Sequence, residues 1–164
     1  MPSCVVRKQL LSSPLKGNGV SPCNGHHFLL KGELMAKVQE KRLNVDFLGN
    51  VPQHKLPAYL NQASLFIQPS FIEHHPKSLL EAMACGLPVI GTDVPGIREI
   101  IHHRETGYLC ATSPEAMREA IRHVLSDGKL CDQMGKNARR YISEQCALES
   151  IVNMELALLR ELSE

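Results

Sequence analysis

At 164 residues, with 43% apolar and 21% charged side chains, the chain has the composition of one globular domain with room for a core. A formal net charge of +1 excludes a global electrostatic pull toward nucleic acid or an anionic membrane surface. No apolar run approaches the roughly 20 residues of a membrane-spanning helix, and the start, MPSCVVRKQLLSS, lacks the apolar core of a signal peptide. The six cysteines (Cys4, Cys23, Cys85, Cys110, Cys131 and Cys146) contain no CxxC pair, so reduced thiols and a cytoplasmic location are expected.

Residues 1–27 are unlike the rest. Ten of these 27 positions are Ser, Pro or Gly, and no helical or strand period emerges, which predicts a flexible or truncated leader. From residue 28 to 164 a single domain is expected. Phe28-Leu29-Leu30 reads as a strand, followed by a helix over about Glu33–Lys41. Val45-Asp46-Phe47-Leu48 reads as a second strand closed by Gly49. A helix near Leu56–Gln62 leads to a third strand, Leu65–Gln68. A helix over Lys77–Cys85 leads through Gly86 to a fourth, Pro88–Gly91. Beyond the turn Val94-Pro95-Gly96 come a short helix, Ile97–Ile101, and an extended piece, Tyr108–Cys110. Strands and helices alternating in this way imply crossover units and a parallel sheet with helices on both faces, the α/β Rossmann-like class.

The last third reads as helical. Ser113-Pro114 is an N-cap and first-turn pair, and Gly128 supplies a stop. Apolar positions recur at helical spacing through Ala116, Met117, Ala120, Ile121, Val124 and Leu125, then Leu130, Met134, Ala138 and Tyr141. Leu148, Ile151, Val152, Leu159 and Leu162 mark a further helix. All three stripes are read as core packing.

Ligands of an open parallel sheet bind beyond the carboxyl ends of its strands. The third strand ends in such a place, followed by Phe71-Ile72-Glu73-His74-His75-Pro76. Pro76 suits a first helical position, which would leave the N–H groups of Lys77, Ser78 and Leu79 facing the crevice, an anion site fit for a diphosphate. Glu81 lies one turn on. A carboxylate accepts both hydrogen bonds of a ribose diol, and Glu73 is placed to do the same for a sugar hydroxyl. On spacing alone, a solvated Glu81 paired with Lys77 at i,i+4 is the simpler reading.

The run from Glu73 to Asp93, EHHPKSLLEAMACGLPVIGTD, resembles the donor-binding signature of glycosyltransferase family 4, retaining enzymes of GT-B architecture. Val45–Gly49, Ala63–Ser70, Pro95–Glu99 and Glu105–Leu109 extend the resemblance over about residues 28–162. Its most specific element is the pair of glutamates at positions 73 and 81. The resemblance implies the C-terminal half of a GT-B fold, incomplete at its N-terminal end, that binds a nucleoside-diphosphate sugar, UDP or GDP, for glycan biosynthesis. Glu73 matches the glutamate that contacts the donor sugar near the reacting centre, and Glu81 the one that holds the ribose. His75, Pro76, Lys77, Ser78 and Leu79 match the loop and helix start facing sugar and phosphates. Gly49, Asn50 and Val51 fall where relatives pass backbone against the base.

Retaining transfer of a hexosyl group to a hydroxyl of a glycan, lipid or small-molecule acceptor is implied. No metal cofactor and no nucleic-acid partner are expected. Any peripheral membrane association is expected to come through the N-terminal acceptor domain, which has no counterpart in this sequence. Two departures stand out. His74 occupies a position that is usually glycine, and the upstream arginine and lysine used on the diphosphate have no match. The isolated chain is therefore expected not to turn over. The His26-His27 and His102-His103 pairs lack zinc-ligand spacing. Two alternatives remain at this point: a nucleotide-sugar epimerase of the same architecture, and a non-catalytic nucleotide-binding or interaction module.

Overall fold

The computed structural model describes residues 4–7, 27–48 and 51–162. The chain forms two compact units, Leu11–Leu56 on the one hand and Met1–Leu10 with Pro57–Glu164 on the other.

In the smaller unit the main element is a helix, α1 (His27–Glu40). The strand expected at Phe28-Leu29-Leu30 is instead its first turn. Three apolar residues do not distinguish a strand from a buried helical segment, and the Leu, Lys, Glu, Met and Ala that follow are helix formers. The helix stops in a Schellman arrangement: the Leu43 N–H donates to the Val38 carbonyl at 2.9 Å and the Arg42 N–H to that of Gln39 at 3.1 Å. Arg42 takes the left-handed position at φ 48°. The second expected strand, Val45–Leu48, is irregular backbone. Its apolar side chains are exposed, so this segment has no buried face to hold an alternating strand in register.

The larger unit is built on a four-stranded sheet in the order β1-β2-β3-β4. Its strands are β1 (Cys4–Arg7), β2 (Ala63–Gln68), β3 (Val89–Thr92) and β4 (Tyr108–Cys110). The last three run parallel, with Gln68 beside Gly91 and Thr92 beside Cys110. The added edge strand β1 is antiparallel and pairs Cys4 with Ile67. It lies in the stretch where composition predicts a leader without strands; residues 1–3 and 8–26 of that leader are outside the described residues. Helix α2 (Leu56–Leu60) precedes β2. The crossover from β2 to β3 is α3 (Lys77–Ala84), and that from β3 to β4 is the short α4 (Pro95–Arg98).

On one face of the sheet Leu65, Ile67 and Ile90 pack against Ala120, Val124 and Met134. These come from α5 (Pro114–Ser126) and α6 (Gly128–Gln145). On the other face Gly91 touches Ile97 and Ile101. The architecture is α/β, a parallel sheet with a helical C-terminal segment, as the alternation of elements predicts. Ser113 caps α5 by accepting from the Ala116 N–H at 3.2 Å. Asp127 ends α5 and caps α6, accepting from the Leu130 N–H at 3.0 Å, so Gly128 opens a helix as well as following one.

The third stripe departs from the expectation of core packing. Helix α7 (Leu148–Glu161) buries no residue, and Leu148, Ile151, Val152, Leu159 and the following Leu162 are all exposed. Periodicity locates an apolar helix; it does not say that the chain supplies the surface to cover it.

Candidate functional site

The carboxyl ends of β2 and β3 are polar where the strands themselves are apolar. Gln68 and Thr92, the last residues of the two strands, are both buried, as is Ser70 just beyond β2. A buried polar group costs free energy unless it is hydrogen-bonded, and here each is. Gln68 Nε2 donates to Ser70 Oγ at 3.0 Å and to Glu73 Oε2 at 3.3 Å. Ser70 Oγ donates to Glu73 Oε2 at 3.2 Å, and Ser78 Oγ donates to Gln68 Oε1 at 3.3 Å. From the neighbouring strand, Thr92 Oγ1 donates to the Ser70 carbonyl and lies 3.4 Å from that of Gln68. The half-buried Glu73 carboxylate is thereby held at the carboxyl end of the sheet.

The Glu73 backbone is fixed as well. The Gly96 N–H donates to the Glu73 carbonyl at 3.2 Å. A side chain at position 96 would place its Cβ 2.3 Å from that oxygen and 2.4 Å from the His74 carbonyl oxygen. Only glycine lets α4 approach the Glu73–His74 backbone this closely.

Beyond Glu73, His74 and His75 are exposed, and Pro76 is buried. Pro76 stands at the N-cap of α3 rather than inside its first turn. Its carbonyl accepts from the Leu79 N–H at 3.0 Å and the Leu80 N–H at 3.2 Å. The Leu79 amide, expected to face a crevice, is therefore engaged within the helix, and the Leu79 side chain is fully buried with Ala82 and Met83. Lys77 and Ser78 are the first two residues of α3, and Ser78 reaches Gln68 through its hydroxyl. Glu81 is half-buried on the same helix. Among the described residues, the ion pair within 4.0 Å is Arg98–Asp93; Lys77 and Glu81 do not form the pair their spacing allows. The simpler reading of Glu81, as one half of that pair, is not what the side chains do. Val51 belongs to the smaller unit, and Asn50 and Gly49 lie outside the described residues.

The structure thus brings Glu73, Ser78 and the start of α3 together at one end of the sheet. It adds Gln68, Ser70, Thr92 and Gly96, which the sequence reading did not single out. A signal for two of them exists. Gln68 ends the run Leu65-Phe66-Ile67-Gln68 and Thr92 the run Val89-Ile90-Gly91-Thr92, and a polar residue closing a strand buried on both faces needs a partner. Among the described residues no three His, Cys, Asp or Glu side chains gather in a way that could hold a metal ion, and no helix is long and apolar enough to cross a membrane.

Comparison with known proteins bears on the family and the fold. The chain is 40% identical over 108 residues to N-acetyl-alpha-D-glucosaminyl L-malate synthase of Bacillus anthracis, an alignment that takes in 65% of this chain and 28% of that protein. Sucrose-phosphate synthase from Thermosynechococcus elongatus superposes with a TM-score of 0.73 at 31% identity, over 82% of this chain and 34% of that one. A TarM variant from S. aureus, whose structure holds UDP, superposes with a TM-score of 0.69 at 26% identity, over 79% of this chain and 27% of that one. The chain therefore spans about a third or less of the length of these relatives. The structural neighbours are GT-B glycosyltransferases, and the comparisons do not favour the epimerase or binding-module alternatives. The model of the family described as "Glycosyl transferases group 1" matches residues 29–141, and the chain belongs to that family.

Proposed function

We propose that this chain is the donor-binding part of a retaining, family 4 glycosyltransferase. It would take a nucleoside-diphosphate hexose, UDP- or GDP-linked, for transfer to a hydroxyl of a glycan, lipid or small-molecule acceptor. The observation that carries the reading is the Glu73 carboxylate, held by Gln68 and Ser70 at the carboxyl end of the sheet beside the opening turn of α3. The UDP held by the TarM variant adds support from a relative.

In this reading the bond between the anomeric carbon and the β-phosphate oxygen breaks, the diphosphate leaves with the electron pair, and the acceptor oxygen bonds to the same face of the sugar while its hydroxyl proton passes to the leaving phosphate oxygen. Negative charge develops on the leaving diphosphate. The positive end of the α3 dipole, the N–H groups of Lys77 and Ser78 and the Lys77 ammonium stabilise it without a metal. Glu73 holds the sugar through its hydroxyls, and Glu81 accepts from the ribose diol. His75 and Pro76 line the sugar side. Leu79 serves only to seat the helix, and Asn50 and Val51 are assigned to the base through their backbone. Turnover requires an acceptor-binding part beyond this chain, and any peripheral membrane association would come through that part, with the site on the cytoplasmic side.

Calorimetric titration with UDP, GDP, ADP and their glucose conjugates tests this directly, beside Glu81→Ala. Binding of one nucleotide that the substitution abolishes is expected. A folded chain that binds none of them would overturn the reading, and sugar transfer by the 164-residue chain alone would overturn the requirement for a further part.

A further inference from the structure

The hydrogen bonds around Gln68 have a fixed direction. A carboxylate only accepts, so both Gln68 Nε2 and Ser70 Oγ must donate to Glu73 Oε2, at 3.3 Å and 3.2 Å. The second Nε2 proton goes to Ser70 Oγ, and Gln68 Oε1 is left to accept from Ser78 Oγ. Each group's orientation follows from that of the next, giving a chain of donors from the start of α3 to Glu73. Both protein hydrogen bonds land on Oε2. Among the described residues Glu73 Oε1 accepts none.

We infer that Gln68 is the positioning residue for sugar recognition: it pins Glu73 Oε2, presents Oε1 to the donor sugar, and ties that carboxylate through Ser78 to the phosphate end of the site. The inference rests on the donor-site reading above and goes further, because Gln68 itself is 2% exposed and reaches the ligand through the side chains it holds, Glu73 among them. Satisfied buried networks of this kind fix geometry more than they add stability.

This role separates from a merely structural one by what it does to two affinities. A residue that only supports the fold lowers nucleotide and nucleotide-sugar binding together. A residue that aims Glu73 lowers only the increment the sugar adds. The experiment compares UDP with UDP-glucose, and GDP with GDP-mannose, on the 164-residue chain and on Gln68→Met, Ser70→Ala and Glu73→Gln. Thermal unfolding serves as the control for folding. Gln68→Met keeps the side-chain volume and removes the amide. It is expected to leave the bare nucleotide within about twofold while losing most of the sugar increment, on the order of tenfold, as for hydrogen bonds to a charged group. Ser70→Ala, which removes one hydroxyl, is expected to lose part of it, and combining Gln68→Met with Glu73→Gln should cost no more than Glu73→Gln alone. If Gln68→Met does not fold, Ser70→Ala carries the test, and an intact sugar increment in it overturns the inference. Retention of the increment by Gln68→Met where Glu73→Gln loses it overturns the inference and leaves the donor site standing. Bare nucleotide binding that depends on Glu81, with no sugar increment in the parent chain, does the same. Absence of any nucleotide binding overturns both.

Discussion

The amide of Gly96, in the short helix α4 that follows β3, donates at 3.2 Å to the carbonyl of Glu73, in the loop that follows β2. The contact leaves no room for a β-carbon, since the nearest atoms one would meet are backbone oxygens that cannot swing away. Gly96→Ala must displace the Glu73–His74 segment or α4. We expect it to cost roughly 1–3 kcal/mol, the range for overpacking a close-fitted site. Denaturant titration would read that loss. Titration with UDP-glucose should show sugar recognition falling further than nucleotide binding, because the displaced segment carries the carboxylate.

A second glycine tests backbone conformation without crowding. Gly86 follows α3 at φ +73°, donating to the Met83 carbonyl at 2.9 Å while Leu87 donates to that of Ala82 at 3.1 Å. A β-carbon there meets nothing closer than 3.7 Å. Gly86→Ala should therefore cost only the left-handed penalty, about 1 kcal/mol. A shift of the urea midpoint with an unchanged slope is the expected result.

Asp93 and Arg98 make an exposed pair, with Arg98 Nε donating to Asp93 Oδ1 at 2.6 Å. That hydrogen bond holds the Asp93 carboxyl below its ordinary value. A carboxyl depressed in the folded state adds stability that is present above its unfolded value and is lost as pH falls through the folded one. Arg98→Ala should raise the Asp93 titration toward the ordinary carboxylate range, as followed by carboxyl carbon NMR. Because both groups lie in solvent, the accompanying change in stability should be small and should fade with added salt.

Burial pushes the thiols of Cys85, Cys110 and Cys131 up from their ordinary value, so at neutral pH they are protonated. The thiolate is the reactive form. Iodoacetamide labelling of the native chain, read peptide by peptide in a mass spectrometer, should modify the exposed Cys146 well before these three, and the order should collapse in denaturant.

Most of the larger unit, β1 and the exposed face of α7 excepted, was legible because its signals are local and redundant. Runs such as Leu65-Phe66-Ile67, closed by turn residues and followed by amphipathic stretches, have one sensible reading, and β2, β3, β4, α3 and α5 lie where those runs place them. The smaller unit was not legible for the opposite reason. Phe28-Leu29-Leu30 is too short to choose between helix and strand, and Val45–Leu48 has strand-forming residues with no buried face. In the site, Glu73 and Ser78 stood out because a recognisable segment carries them. Gln68, Ser70 and Thr92 did not, because their meaning is a partnership between neighbouring strands, and no spacing along the chain encodes which strand lies beside which. The Leu79 amide differs from the expectation by a single residue, since Pro76 at the cap rather than in the first turn commits that N–H to the helix.

The edge strand β1 has a consequence for the order of assembly. Ile90 pairs with Tyr108, and Phe66 with Val89, each across one short crossover, whereas Cys4 must find Ile67 across the whole of the intervening unit. Closing a loop of roughly fifty residues costs on the order of 3–4 kcal/mol in chain entropy, and a four-residue strand regains little of it per hydrogen bond. We therefore expect the three parallel strands to form a nucleus that does not wait for β1, with β1 the last strand to dock and the first to detach. In amide exchange its protons should be lost with the kinetics of a local opening, while those of β3, shielded on both sides, report the unfolding of the sheet itself.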